Sequence, residues 1–180
     1  KNGNITTIKY PSGRTIAYSY ANDNITGILN NGTPIASNIA YKPFGLISAL
    51  TFGNGIQQTN TYDQQYRITG LTAQNVQNLA YAYDKNSNIT GITDNLDNTK
   101  TKTFGYDPLD RLSTAKGTWG DLTYTHDGTG NRKTETTNTG TSSYAYTNNR
   151  LTTVTGEKSY NFGYDGNGNT GGSVPVDNGS

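Results

Sequence analysis

Residues 81–92 read YAYDKNSNITGI and residues 104–113 read FGYDPLDRLS, and these two stretches decide the fold. Both run from an aromatic residue through one intervening position to Tyr-Asp, then through a polar turn to an apolar residue and Thr or Ser. A repeat unit this short cannot bury its own apolar face, so neighbouring units must stack on one another. The anchor of the pattern, the second aromatic position, recurs at Tyr20, Tyr41, Tyr62, Tyr83, Tyr106, His126, Tyr146 and Tyr164, with separations of 21, 21, 21, 23, 20, 20 and 18 residues.

Composition makes tyrosine the main packing residue of this chain. Apolar residues are only 31% of the sequence, Met and Cys are absent, and 14 Tyr supply much of the hydrophobic area. The wealth of aromatic and β-branched residues nevertheless indicates an ordered protein, because disordered chains are poor in both. A net charge of +1, with charges scattered singly, offers no basic stripe for nucleic acid and no polybasic segment for lipid. We therefore expect no nucleic-acid partner, no membrane insertion and, without Cys, no disulfide or thiolate metal site.

The segment before each turn alternates apolar and polar residues, as in Leu79, Tyr81 and Tyr83. This period of two, with aromatic and β-branched enrichment, predicts strands that bury one face. The turns themselves are rich in Asp, Asn and Gly, most clearly at residues 127–131 and 165–169. These residues tolerate positive φ, and an Asp carboxylate can fold back onto backbone amides, so the turns are predicted to be hairpin connections.

The segment after each turn carries apolar residues three positions apart, as in Ile25 and Ile28 or Ile68 and Leu71. We predict a bulged strand here, because a bulge inserts one residue and returns the next side chain to the same face. Two strands per unit give about 15 to 17 strands in a curled or spiralling antiparallel sheet. The fold class is thus all-β, with about eight two-stranded hairpin units over residues 1–170 and a non-repeat tail at residues 171–180.

The Tyr-Asp pattern at residues 62–69, 83–90 and 106–113 resembles the YD repeat of the RHS family. The resemblance extends over roughly residues 1–170, and repetition at the right period makes it more specific than one copy would be. It implies that the hairpins wind into a continuous β-sheet spiral that forms a shell or barrel. Such shells are found in RHS polymorphic toxins, toxin-complex subunits, bacterial wall-associated proteins and teneurins.

Catalytic chemistry finds no support in the sequence. His126 is the only His and stands where other units have Tyr, so we interpret it as a packing substitute. Asp127 follows it directly, but adjacent residues on a strand point to opposite faces. The turns at residues 127–131 and 165–169 offer oxygen ligands for Ca²⁺, yet each has one carboxylate and no distant Glu, and Asx turns explain them equally well. We expect no enzyme activity, no catalytic residue, no metal and no cofactor.

The function predicted is therefore that of a non-enzymatic structural scaffold, extracellular or at the cell surface. It would be either a wall segment of an RHS-type shell or a self-assembling surface fibre. Because both ends of the sequence fall within the repeat without a recognisable cap, we expect continuation into a longer chain or self-association through open sheet edges. The alternative is a glycan-binding adhesive module, in which exposed Tyr rings and Trp119, in a glycine-flanked loop, would stack on sugars.

Overall fold

The computed structural model describes residues 3–175 of the chain, with side chains for residues 3–172. These residues form seventeen strands whose pairings are antiparallel, and two single-turn 3-10 segments at Pro43–Gly45 and Asn98–Lys100. The all-β class is thereby confirmed, with a strand count inside the expected range. The strands are β1 (Thr7–Lys9), β2 (Thr15–Ala21), β3 (Asn24–Asn30), β4 (Thr33–Tyr41), β5 (Ile47–Phe52), β6 (Gln57–Tyr62), β7 (Ile68–Ala73), β8 (Gln77–Tyr83), β9 (Ile89–Asp94), β10 (Lys102–Tyr106), β11 (Leu112–Gly117), β12 (Gly120–His126), β13 (Arg132–Thr136), β14 (Thr141–Thr147), β15 (Arg150–Gly156), β16 (Tyr160–Tyr164) and β17 (Thr170–Pro175).

The chain forms two compact units. The first comprises the residues up to 82 together with 92–98, and the second comprises residues 83–91 together with the residues from 99 onward. In the first unit, each strand from β2 to β8 pairs with the strand that precedes it. In the second unit, each strand from β11 to β17 does the same. Both units are therefore successions of hairpins, as the repeat predicts; residues 176–180 of the predicted tail lie outside the described residues.

A β-bulge beside the anchor residue recurs in most of the repeat hairpins. In the hairpin of β2 and β3, Tyr18 pairs with Ile28 and Tyr20 with Ile25, so that Thr26 is the extra residue. Because Tyr18 and Tyr20 share a face, Ile25 and Ile28 share it too, and the three-residue spacing of apolar side chains is explained. The predicted bulged strand is confirmed. The extra residues at the corresponding positions of other hairpins are Ser48, Thr69, Ser113, Lys133 and Thr152.

Three kinds of turn connect the strands at the anchor end of the hairpins. The commonest is a five-residue turn that begins with Asp, as at residues 63–67, and the turn after Tyr41, at residues 42–46, begins with Lys and contains the 3-10 segment. The hairpins after Tyr20 and Tyr146 instead use two-residue turns, Asn22-Asp23 and Asn148-Asn149, in which both central residues have positive φ. This is the arrangement of a type I′ hairpin, whose twist matches that of the flanking strands.

Few side chains are fully buried in either unit. In the described part of the chain the buried apolar residues are small or β-branched, and two polar residues, Glu135 and Ser142, are buried beside them. Stability must therefore depend heavily on strand pairing, on cross-strand contacts of half-buried tyrosines and on the turns. A carboxylate among so few buried positions also marks one hairpin as different from its neighbours. The buried apolar residues are Ile16, Ala36, Ile39, Ala73, Ala115 and Val154.

Candidate functional site

The anchor tyrosines do more than pack, because their hydroxyls tie successive hairpins together. The Tyr41 hydroxyl donates to the Ile25 carbonyl at 2.8 Å, and Ile25 is itself the strand partner of Tyr20. That carbonyl adjoins the extra residue Thr26, where the bulge interrupts the regular ladder of backbone hydrogen bonds. The equivalent hydroxyl bonds within each unit run from Tyr20 to Ile5 (2.8 Å), Tyr62 to Ile47 (2.8 Å), Tyr106 to Ile89 (2.9 Å), Tyr146 to Arg132 (3.1 Å) and Tyr164 to Leu151 (2.9 Å).

The Asp of the Tyr-Asp pair organises the turn that follows it. In residues 63–67, one Asp63 carboxylate oxygen accepts the backbone N–H groups of Gln65 and Arg67, both at 2.9 Å, and the other accepts Nε of Arg67 at 2.7 Å. Backbone hydrogen bonds close the same turn from Asp63 to Arg67 and from Tyr66 to Asp63. The Asn or Arg at the fifth position is thus explained as the partner of the carboxylate. The same pattern recurs in residues 84–88, 107–111, 127–131 and 165–169.

The two turns considered as Ca²⁺ sites use their carboxylates internally. Asp127 accepts the backbone N–H and the hydroxyl of Thr129, and the backbone N–H and side-chain amide of Asn131, at 2.8–3.0 Å. The hydroxyl bond from Thr129 and the amide bonds outweigh desolvation and lower the Asp127 pKa to about 2. Among the described residues no cluster of three His, Asp or Glu side chains could hold a metal ion. A cation at Asp127 would have to displace these donors.

His126, the sequence candidate for a catalytic group, lies on β12 opposite Arg132 of β13. Where an anchor Tyr would donate to a carbonyl of the preceding hairpin, the His126 ring forms no side-chain hydrogen bond with the described residues. The neighbouring carboxylate, Asp127, does not orient the ring, since both of its oxygens are engaged in the turn. The geometry favours a filling role at an anchor position over general base chemistry.

The hairpin after His126 carries a polar cluster where other hairpins are apolar. Arg132 and Glu135 occupy the two positions, three apart, that Leu151 and Val154 occupy in a later hairpin. Glu135 is only 7% exposed, and its carboxylate accepts Nη1 of Arg132 at 2.7 Å. We call Arg132, Glu135, Tyr144 and Lys158 the Glu135 cluster. Its remaining contacts are an ion pair from Lys158 to Glu135, a 3.4 Å bond from the Tyr144 hydroxyl, and the Arg132 guanidinium 4.3 Å from the Tyr144 ring centre.

The electrostatics of the Glu135 cluster keep it charged. The hydrogen bond from the Lys158 ammonium outweighs desolvation and, with the Arg132 charge, holds the Glu135 pKa below its ordinary value. The same bond raises the Lys158 pKa, and burial raises the pKa of the Tyr144 hydroxyl. Glu135 is thus a paired anion with both oxygens occupied, which suits it to cross-linking and not to proton transfer. Lys158 follows β15, so the cluster joins β13 to a later hairpin.

Exposed aromatic side chains occupy two places relevant to ligand binding. Trp119 lies in the two-residue turn between β11 and β12, 46% exposed, with its ring close to Gly117. Phe44 is more exposed, at 89%, and its ring meets Tyr66 edge to face with 5.6 Å between ring centres. An open groove of about 400 Å³ beside Tyr66 is lined by Lys42, Pro43, Tyr62, Asp63, Gln64 and Tyr66.

Three of these features escaped the reasoning from sequence, although signals for two of them were present. The hydroxyl bonds could have been suspected because the anchor is Tyr, and never Phe, in seven of eight units. The Glu135 cluster could have been suspected because Arg132 and Glu135 share the spacing of the apolar pairs in other units. The Phe44 and Tyr66 contact had no signal, since it joins turns of two different hairpins.

No protein-family model matches the chain, and no curated protein sequence matches it. In the described residues no helix has the length and apolar character needed to span a bilayer. Solved structures, in contrast, do match. The chain is similar to the Photorhabdus luminescens Tc holotoxin pore structure, with a TM-score of 0.71 and 16% identity over 97% of this chain and 12% of that one.

Two further matches are structures of TcdB2-TccC3. One lacks the hypervariable C-terminal region and aligns with a TM-score of 0.67 and 17% identity over 93% of this chain and 12% of that chain. The other, TcdB2-TccC3-TEV, aligns with a TM-score of 0.64 and 18% identity over 96% of this chain and 10% of that chain. At such identities the likeness establishes the fold, in agreement with the RHS-like architecture expected from the Tyr-Asp pattern. The chain spans about a tenth of the length of these toxin components and has the β-repeat fold of one segment of them.

Proposed function

We propose that this chain is a segment of an RHS/YD-repeat protein and acts as a non-enzymatic structural scaffold, one part of the wall of an extracellular toxin-type shell. The proposal rests on the likeness to Tc toxin structures, which extends over nearly the whole chain but only 10–12% of theirs. A wall segment that is continued by further repeats explains why almost all of this chain, but only a small part of each toxin component, takes part in the match.

One observation carries this function more than any other. Within each compact unit, the hydroxyls of anchor tyrosines donate hydrogen bonds to backbone carbonyls of the preceding hairpin, as from Tyr41 to Ile25 and from Tyr164 to Leu151. Each such bond requires only an anchor Tyr in one hairpin and the bulge of the hairpin before it, so the same geometry can be repeated along a chain of any length. A contact that propagates in this way is what a continuous wall requires, because each hairpin is held by its neighbours and not by a central core.

The use of the polar groups also favours a scaffold over an enzyme. Asp127 is saturated by turn donors and Glu135 by two cations, so neither carboxylate is available to accept a substrate proton. A wall requires such internally satisfied groups, because buried polar atoms without partners would destabilise it. We propose, accordingly, that its natural partners are further repeats, whether in the same polypeptide or in a second copy joined at a sheet edge.

The test is the mass and shape of the native polypeptide that contains this sequence. Electron microscopy and mass measurement should show a chain roughly eight times longer, since the chain spans 12% of the similar toxin component, folded as a closed hollow particle. Any part of the polypeptide that such a closed particle encloses should resist limited proteolysis until the particle is opened. Filaments of a uniform 19.4 kDa chain would overturn the shell and establish the fibre instead.

A second candidate function is the binding of glycans at the surface. The observation that favours it is the highly exposed Phe44 ring against Tyr66, beside an open groove with polar side chains. Fractionation of the producing cell bears on both candidates, since each requires the protein in the secreted or surface fraction. A protein confined to the cytoplasm throughout growth would contradict both.

A further inference from the structure

Two aromatic residues adopt backbone conformations that aromatic residues rarely adopt. Phe44 has φ 69° and ψ 19°, and Tyr66 has φ 60°. In the left-handed region a bulky side chain is unfavourable, and such strain persists only where the surroundings or a function maintain it. At the position of Tyr66, the other five-residue Asp turns have small or polar residues, namely Ser87, Asp110, Gly130 and Gly168.

Packing of the Phe44 ring does not compensate for this strain, because that ring buries little area, and Tyr66 remains half-exposed. Phe44 is 89% exposed and Tyr66 is 46% exposed. Their rings touch only edge to face, at an interplanar angle of 88°, so most of the Phe44 ring faces solvent. The two turns therefore present an open aromatic corner, which we define as Phe44 and Tyr66, and its exposed ring surface is available to a ligand.

The groove beside the aromatic corner carries polar groups without a partner in the described part of the chain. The groove beside Tyr66 includes Lys42 and Gln64, and among the described residues neither side chain, nor the Tyr66 hydroxyl, forms a hydrogen bond. By contrast, the other two polar residues of the groove are committed, Asp63 to its turn and the Tyr62 hydroxyl to the Ile47 carbonyl. The aromatic corner and the groove together thus combine flat apolar ring surface with one ammonium group, one side-chain amide and one hydroxyl.

We propose that the aromatic corner and the adjoining groove bind a neutral oligosaccharide. A pyranose ring has an apolar C–H face, which stacks on an aromatic ring, and hydroxyls at its rim, which Lys42, Gln64 and Tyr66 can reach. An apolar peptide side chain is matched less well, because the groove is open and polar. A nucleic acid is matched less well too, since the one cationic side chain that lines the groove, Lys42, shares that lining with the Asp63 carboxylate. The inference names the site for the second candidate function and is independent of the shell.

The experiment measures both saccharide affinity and thermal stability in the same set of variants. The whole chain is titrated by calorimetry with maltohexaose, cellohexaose and chitohexaose, and the variants Phe44→Gly and Tyr66→Gly are compared with Trp119→Ala. We expect at least one hexasaccharide to bind and each Gly variant to bind at least about tenfold more weakly. The Gly variants should also keep or raise the melting temperature, because Gly relieves the positive φ.

The control separates this site from the aromatic residue that the sequence favoured. Trp119→Ala removes an exposed ring in the other compact unit and should leave saccharide affinity unchanged. The proposal is overturned if none of the three hexasaccharides binds, or if Phe44→Gly and Tyr66→Gly bind as tightly as the unsubstituted chain. Neither result would affect the proposed shell, which depends on particle shape and not on the aromatic corner.

Discussion

The anchor hydroxyl bond predicts a measurable loss of stability when one oxygen atom is removed. In Tyr41→Phe the ring and its packing remain, but the Ile25 carbonyl loses the donor that lies 2.8 Å away. A hydrogen bond of this kind contributes about 0.5–1.5 kcal/mol net, and an unsatisfied buried carbonyl costs about 1–3 kcal/mol. Because the bond is only partly buried, water can reach the carbonyl in part, and we expect a loss of about 1 kcal/mol.

The assay is urea unfolding followed by far-ultraviolet circular dichroism. With a slope of about 2 kcal/mol per M, the unfolding midpoint of Tyr41→Phe should fall by about 0.5 M while the slope stays constant. The matched control is Tyr10→Phe, which removes from an exposed tyrosine a hydroxyl that makes no hydrogen bond with the described residues. Equal midpoints for Tyr41→Phe and Tyr10→Phe would refute the view that anchor hydroxyls hold neighbouring hairpins together.

Three further predictions concern the turns and the Glu135 cluster. Hydrogen bonding lowers the Asp127 pKa to about 2, so the ionised Asp127 carboxylate stabilises the fold fully above about pH 4, and this stabilisation is lost as the pH falls toward 2. Asp127→Ala should therefore flatten the acid limb of a plot of melting temperature against pH. An unchanged acid limb would contradict this prediction. Gly130→Ala should lower the free energy of unfolding in urea by about 1–2 kcal/mol, since the backbone φ of Gly130 is 96°. Gly128→Ala is the control and should be nearly neutral, because Gly128 has open space around it and no positive φ. Equal effects of the two substitutions would exclude backbone strain as the cause. In the Glu135 cluster, Glu135→Val alone should destabilise, because it leaves the charges of Arg132 and Lys158 without their partner. Arg132→Leu combined with Glu135→Val installs the apolar pair of a later hairpin and should restore or exceed the starting stability in urea unfolding. A double variant less stable than the unsubstituted chain would show that the ion pair is itself stabilising.

Much of the fold could be read from local patterns, because local rules produce it. The spacing of Ile25 and Ile28 predicted a bulge, and the register shift at Thr26 confirmed it. The Asp at the start of residues 127–131 predicted a turn folded around its carboxylate, which the bonds to Thr129 and Asn131 confirm. In both cases the interacting groups lie a few residues apart, so the chain has little freedom to arrange them otherwise.

The candidate sites were less predictable, because they depend on which hairpins become neighbours. Glu135 and Lys158 are 23 positions apart, and the sequence alone does not show that they share a face. The aromatic residue favoured from sequence, Trp119, is exposed as expected, yet Phe44 is more exposed and contacts Tyr66 from a separate turn. The preference for Trp119 followed from its flanking glycines, whereas Phe44 occupies a left-handed position that sequence rules assign to Gly or Asn.

The sequence by itself determined the repeat, the hairpins, the bulges and the Asp turns, since each depends on side chains and backbone within one unit of about 21 residues. Only the tertiary structure decided what the anchor tyrosines and the polar substitutions do. The distance from the Tyr41 hydroxyl to the Ile25 carbonyl, the pairing of Glu135 with Lys158, and the meeting of Phe44 with Tyr66 all join different hairpins. Such contacts follow from how twisted hairpins stack, and the stacking geometry is a property of the packed units and not of any single repeat.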